Sequence, residues 1–233
     1  MSINFKKISI IIPVYNEQKT IINILDKVKL AKVGILEQEI IIVNDGSTDK
    51  TSQILDNLND PQVRILTHKK NQGKGSALKT GFSSSTVDII LIQDADLEYD
   101  PADYRDLVKP ILEGKADIVY GSRFIGDKPH RVLYFWHYAA NKFITLMTDM
   151  FANLNLTDVE TCYKAFTRDV LDKIDLKENR FGFEIEFTIK AARLKKRFYE
   201  IGISYTGRTY EEGKKIKARD GLRALWCIIK YRF

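Results

Sequence analysis

The chain has 233 residues, 44% of them hydrophobic, enough to bury a core as one α/β domain with an appendage rather than two independent domains. Two cysteines, Cys162 and Cys227, and three scattered histidines, His68, His130 and His137, show no metal-ligand spacing. That pattern excludes a disulfide scaffold and a zinc module and suits a reduced, cytoplasmic compartment, each histidine reading as an ordinary polar side chain.

The opening "MSINFKKISIIIPVYNE" sets two lysines before an apolar run, which loosely imitates a signal peptide. The run spans only about six residues, lacks a small-residue cleavage site and stops at Pro13 and Asn16-Glu17, so it reads as a buried first strand. "ISIIIPV" (8–14), "EIIIVN" (39–44), "VRILTH" (63–68), "VDIILIQ" (87–93) and "ADIVYG" (116–121) are short runs rich in β-branched residues. Helical stretches fall between them near 18–32, 49–59, 74–83 and 102–113. Continuous apolar strands alternating with helices predict a mostly parallel central sheet flanked by helices.

Beyond residue 121 the rhythm changes. Residues 132–152 are aromatic-rich with helical period; a strand is expected at 161–166, a helix at 182–195 and another strand at 198–205. "GRTYEEGKKIKARDG" (207–221) is polar and glycine-punctuated and reads as a mobile loop. A last amphipathic helix runs from about 219 to the end. No stretch of about 18 apolar residues occurs, so no membrane span is expected.

Ligands of open parallel sheets bind beyond the carboxyl ends of the strands. "PVYNE" (13–17), "NDGSTD" (44–49) and "QDADLEYD" (93–100) follow the first, second and fourth strands, so motifs remote in sequence should meet at one edge. On an extended chain Asp94, Asp96 and Glu98 alternate to the same side. Carboxylates so crowded repel unless a cation intervenes, and an all-oxygen set suits Mg²⁺ or Mn²⁺. The plainer alternative is an acid-rich turn leading into the helix after Pro101. Ser47 or Thr48 is expected to cap the next helix, with Asp49 in its first turn. Asp45 is placed to accept hydrogen bonds from a base or ribose. "NQGKGSA" (71–77) offers backbone amides to a phosphate, although it is neither a Walker A loop nor a dinucleotide fingerprint.

In this order and spacing, "SIIIPVYNE", "IVNDGSTDKT", "NQGKGSALKTGF", "QDADLEYDP" and "GSRF" resemble the inverting family-2 glycosyltransferases of GT-A fold. The likeness is greatest to the dolichyl-phosphate mannose synthase and polyprenyl-phosphate glycosyltransferase group. "TDVETCYKAF" (157–166), "FGFEIEF" (181–187) and "RTYEEGKKI" (208–216) match more loosely. The resemblance covers the whole chain as a single catalytic domain. It implies a nucleotide-binding half (1–121), an acceptor half with a polar loop (122–218) and a basic tail helix (219–233).

What it implies chemically is a nucleotide-diphosphate sugar donor of GDP-mannose or UDP-glucose type. Pro13, Tyr15, Glu17 and Asp45 would line the base pocket, with Lys74 nearby. Asp94 would face the ribose or metal, and Asp96 would ligate the metal that bridges the diphosphate. Glu98 stands where many lipid-phosphate sugar transferases carry Gln, and an added charge there would either tighten metal binding or change the preferred ion. Arg208 and Lys215, on the polar loop, would close over the diphosphate. Arg123 and Arg131 would hold an acceptor phosphate; a hydroxyl acceptor would need a base, for which Asp158 and Glu184 are the candidates.

The net charge of +6 is uneven. Residues 189–233 hold 13 Lys or Arg against 4 Asp or Glu, a net of +9, so the first 188 residues sum to −3. In the tail helix Leu222, Leu225, Trp226, Ile229 and Phe233 share one face, and Arg219, Arg223 and Lys230 line a flank. This face either packs on the enzyme or lies on an anionic membrane, which would place the protein peripherally on the cytoplasmic leaflet. A basic tail also permits nucleic acid, but no aromatic stacking motif accompanies it, and a nucleic-acid partner is not expected. An inert nucleotide-sugar sensor is the other competing class; intact Asp94 and Asp96 argue against it.

Overall fold

The computed structural model describes residues 5–34, 36–126, 128–132, 134–213 and 218–232. Seven strands form one mixed sheet. They are β1 (Lys7–Val14), β2 (Glu37–Asn44), β3 (Val63–Thr67), β4 (Ile89–Ile92), β5 (Ile118–Ser122), β6 (Lys164–Thr167) and β7 (Phe198–Gly202). Their order across the sheet is β3-β2-β1-β4-β6-β5-β7. The four-residue apolar run of β4 and the isoleucines of β1 and β2 are buried on both faces, as central parallel strands require. Each such isoleucine contributes roughly 2–3 kcal/mol of apolar burial.

Helices α1 (Ile21–Leu30), α2 (Thr51–Asp56), α3 (Lys74–Ser84) and α4 (Tyr104–Leu112) connect the strands of the first half. The order of elements is the expected one. One local detail differs: α2 begins at Thr51, and Asp49 rather than Ser47 or Thr48 receives its amide, the Thr51 N–H donating to Asp49 Oδ1 at 2.9 Å. Ser47 and Thr48 instead bond to Asn16, which ties the loops after β1 and β2 together.

The second half supplies α5 (Phe135–Ala152), a short α6 (Arg168–Leu171), α7 (Phe183–Arg193) and α8 (Ala218–Tyr231). Strand β6 enters antiparallel between β4 and β5, pairing Leu91 with Ala165 and Val119 with Ala165. Its first residues therefore lie at the carboxyl ends of its neighbours. β7 runs parallel to β5, so the chain after Gly202 leaves at that edge too. One reversed strand is what brings residues 158–163 beside residues 93–98.

A second apolar cluster joins α5, α7 and α8 through Ile144, Val159, Ile185, Ile189, Ala224, Cys227, Ile228 and Tyr231. This corrects the reading of the tail helix. The buried face is Ala224, Cys227, Ile228 and Tyr231, whereas Leu222, Trp226 and Ile229 point outward. Phe233 and the side chain of Arg219 lie outside the described residues. Among the described residues, no helix is long and apolar enough to cross a membrane.

Candidate active site

At the carboxyl edge of the sheet, the loops after β1, β2 and β4 are organised by cross-links between them. Asp45, the first residue after β2, is buried and has both oxygens engaged. Its Oδ1 accepts from the Gln72 amide at 2.9 Å and lies 2.7 Å from His68 Nδ1; its Oδ2 accepts from the Gly73 amide at 2.7 Å. The amides expected to meet phosphate therefore donate to Asp45. The glycines serve a close backbone approach: Gly73 has φ of +102°, and a Cβ on Gly75 would lie 2.5 Å from the Glu178 carbonyl oxygen. His68, which reads as an ordinary side chain in the sequence, is thus part of the clamp that sets the 72–74 loop.

Lys74 follows that loop and projects to Asp94 at 3.0 Å and Glu184 at 3.4 Å. Burial works against its charge, but Asp94 and Glu184 outweigh it and hold the ammonium well above its usual range. Beside it, burial and then the charges of Asp94 and Glu98 push the Asp96 carboxyl up to about 8. A cation would remove that penalty.

The chain from Asp94 to Glu98 is not extended, which overturns the argument from alternation. β4 stops at Ile92, and Leu97 turns with φ of +66°. Both Glu98 oxygens are engaged instead, accepting from the Tyr205 hydroxyl at 2.8 Å and the Arg208 amide at 2.7 Å. Among the described residues, no three His, Cys, Asp or Glu side chains are grouped to hold a metal. Asp94 and Asp96 alone still fit the one or two carboxylates that Mg²⁺ takes when phosphates complete its shell.

Arg208 reaches across the edge. Its guanidinium donates to both oxygens of Glu17, at 3.2 and 3.0 Å, and to the Asp96 carbonyl at 2.5 Å. Glu17 is itself buried and receives the Thr20 hydroxyl at 2.8 Å. Pro13 pairs opposite Val43 within β1, and Tyr15 is half-buried in the turn that follows.

On the other side, Arg123 and Asp158 form a buried bidentate pair with both bonds at 2.7 Å. Burial opposes the Asp158 charge, but Arg123 prevails and holds the carboxyl below its usual range. Asp158 is positioned by Glu200 of β7, whose carboxylate receives the amides of Thr157 and Asp158. Arg131 donates to the Gly207 carbonyl at 3.1 Å and to Glu212 at 2.7 Å. Tyr210 lies 2.8 Å from His137 of α5, so the polar segment 207–213 is tied down rather than loose. Lys215 lies outside the described residues.

Residues 9–175 match Glycosyl transferase family 2. The chain belongs to that family. The transferase is 31% identical over 216 residues to undecaprenyl-phosphate mannosyltransferase of Micrococcus luteus, covering 88% of this chain and 85% of that protein. It is 27% identical over 233 residues to dolichol-phosphate mannosyltransferase of Pyrococcus furiosus, covering 97% of this chain but 64% of that protein. In fold it resembles glucosyl-3-phosphoglycerate synthase of Mycobacterium tuberculosis, crystallised with Mn²⁺, UDP and phosphoglyceric acid. The TM-score is 0.72 at 20% identity, over 97% of this chain and 78% of that one. The GT-A fold and the hexosyltransferase class expected from the motifs are therefore shown.

The geometry brings together Glu17, Asp45, Lys74, Asp94, Asp96, Glu184 and Arg208 on one side of the sheet edge, and Arg123 with Asp158 on the other. Several residues of the site went unremarked in the sequence. Gln93 fixes the end of β4 by accepting the hydroxyls of Tyr104 and Tyr163 at 2.7 and 2.6 Å. Tyr205 packs under the Arg123 guanidinium, 5.3 Å from its ring centre. Lys164 is buried and Glu160 partly buried close to Glu184 and Asp158. The loosely matched "TDVETCYKAF" was the available signal for these last two.

Proposed function

We propose that this transferase moves a hexose, with inversion, from a nucleotide-diphosphate sugar to a polyprenyl phosphate at a membrane surface, with Mg²⁺ or Mn²⁺ as cofactor. The observation that carries the reading is the charge arrangement across one edge. Acids that repel each other at Asp94 and Asp96 lie on one side, and the buried guanidinium of Arg123 lies on the other. The first suits a cation with a diphosphate, the second an anionic acceptor. The names of the relatives, both polyprenyl-type phosphate mannosyltransferases, favour the same pairing.

Asp94 and Asp96 would hold the metal, which would act as a Lewis acid on the leaving diphosphate. Lys74, kept charged by Asp94 and Glu184, adds a fixed cation to the same side. Arg208 neutralises the charge that departs with the diphosphate once it exchanges Glu17 for the phosphates. A lipid phosphate is already ionised near neutral pH, so the acceptor side has only to position it. Asp158 fits that economy: both of its oxygens are committed to Arg123, which leaves it unsuited to serve as the general base a hydroxyl acceptor needs, while Glu184 holds Lys74 through one oxygen.

The outward surface supports membrane contact differently from the expected basic tail. Arg223 and Lys230 pair with buried Glu178 at 2.7 and 2.9 Å. What the flank offers is apolar: Phe135, Trp136, Phe143 and Met150 of α5, and Leu222, Trp226 and Ile229 of α8, are exposed. An interfacial helix pair of this kind would bring the site to the acceptor's headgroup.

The test is direct. The protein is incubated with GDP-mannose or UDP-glucose, polyprenyl phosphate and Mn²⁺ or Mg²⁺, and products are read by mass spectrometry. A metal-dependent polyprenyl-phosphate hexose is expected; transfer only to a glycan hydroxyl would refute the acceptor.

A further inference from the structure

Buried polar atoms normally find partners, and those that do not point to a missing ligand or a functional strain. Four buried side-chain oxygens lack a protein partner: Asp149 Oδ1, Glu160 Oε1, Thr161 Oγ1 and Glu184 Oε2. Three of the four belong to the loop before β6 and the first turn of α7, both at the carboxyl edge of the sheet. Glu184 and Thr161 are respectively 4% and 0% exposed, so solvent does not satisfy them.

The cation nearest to hand does not compensate. Lys164 is fully buried among these acids, yet its ammonium donates to the backbone carbonyls of Val159 and Thr161 and sits over the Tyr120 ring. Burial, and then the charge of Glu184, push the Glu160 carboxyl up to about 8, with Lys164 and Arg123 pulling the other way. Glu184, paired with Lys74 through one oxygen only, and the partly exposed Glu160 are thus kept close together, each with one oxygen lacking a protein partner.

Their position in the edge says what they are kept for. Glu184 is joined through Lys74 to Asp94, the diphosphate end. Glu160 is two residues from Asp158, which grips Arg123, the acceptor end. The group lying between those ends during transfer is the sugar. A sugar carries hydroxyls in pairs, each able to donate to a carboxylate oxygen or accept from a protonated one.

We propose that Glu160 is a specificity determinant for the transferred hexose, its Oε1 taking up a sugar hydroxyl next to one held by Glu184 Oε2. The proposal rests on the nucleotide-sugar reading above and adds to it the residue that distinguishes one hexose from another. Thr161 Oγ1, adjacent in the chain, offers a third polar atom to the same ring.

The experiment compares wild type with Glu160→Gln, which keeps the side chain's shape. Binding of GDP, UDP, GDP-mannose and UDP-glucose is measured by calorimetry in Mn²⁺, alongside thermal melting. Wild type is expected to bind one hexose-bearing nucleotide at least about tenfold more tightly than its parent diphosphate, the loss of one charge-assisted bond being a tenfold or greater effect. Glu160→Gln should erase that increment, leave diphosphate binding unchanged and raise Tm by about 2–4 °C, because an uncompensated buried acid is gone. An unchanged increment in the variant overturns the proposal, as does a fall in Tm with parallel loss of diphosphate binding, which marks a merely structural residue. Wild type that binds diphosphate and sugar nucleotide equally overturns the proposal alone. Wild type that binds none of the four overturns the donor reading and the proposal with it.

Discussion

The two halves of the edge use charge in opposite ways. On the donor side, acids are left in excess: Asp96 is crowded by Asp94 and Glu98, and only Lys74 and Arg208 answer them. On the acceptor side, each named cation already has a carboxylate, Arg123 with Asp158 and Arg131 with Glu212, and the flank beyond is apolar. An acid excess favours an added cation, whereas the proposed lipid-phosphate acceptor would meet paired charges with an apolar border.

The largest effect is expected where the contrast is sharpest. Asp96→Ala should reduce transfer by about a thousandfold or more if Asp96 holds the proposed metal at the diphosphate. Its fold should survive with equal or higher Tm, because a buried acid repelled by its neighbours is removed. Product formation under saturating Mn²⁺ and a melting curve check both halves; near-normal turnover would erase the donor side of the comparison.

Arg208→Ala comes next. Its guanidinium bridges Glu17 and the Asp96 carbonyl, which on the proposed reading is where leaving-group charge would accumulate. Turnover should fall about a hundredfold while donor affinity falls much less, because the interaction matters most in the transition state. Equal losses in both would make Arg208 a simple binding contact.

How much of this was readable in advance follows the same division. Donor-side residues come in short motifs directly after strands, so "PVYNE", "NDGSTD" and "QDADLEYD" could be placed at one edge from strand order alone. What failed there was local geometry: a left-handed Leu97 turned Glu98 toward Tyr205, and Asp45 drew in the 72–73 amides. Acceptor-side positions depend on β6 being antiparallel, which no local pattern announces, so Glu160 and Lys164 were passed over. The tail helix misled for another reason. It is apolar on more than one side, and periodicity does not say which side meets the core.

A smaller effect concerns how α8 is fastened. Glu178 is 4% exposed and accepts from Arg223, Lys230 and the Tyr231 hydroxyl. Burial opposes its charge, but these three donors win and lower the carboxyl from 4.5 to about 2. A depressed folded-state value stabilises the fold above the unfolded value, and that stability is lost as pH falls from about 4.5 toward 2. Glu178→Gln should therefore cost about 1–2 kcal/mol near neutral pH, after discounting for the half-exposed partners, and flatten the acid limb of a Tm-against-pH curve. An unaltered acid limb would mean α8 is held by its apolar face alone.

The smallest expected effect tests the acceptor flank. Arg223→Glu or Lys230→Glu is a poor probe of membrane charge, because either change also breaks the contact with Glu178. The outward aromatics are clean: Trp136 is 79% exposed on α5 and Trp226 is 53% exposed on α8, so neither substitution disturbs the core. If both rings enter the interface, each Trp→Ala change should weaken vesicle binding by about 1 kcal/mol, roughly fivefold, and the double variant by the product. Co-sedimentation with anionic and neutral vesicles separates the contributions. An apolar flank predicts binding to both, with the Trp variants weaker on each. Binding confined to anionic vesicles, indifferent to both tryptophans, would return the contact to the basic residues of the tail and leave the aromatic face without a membrane role.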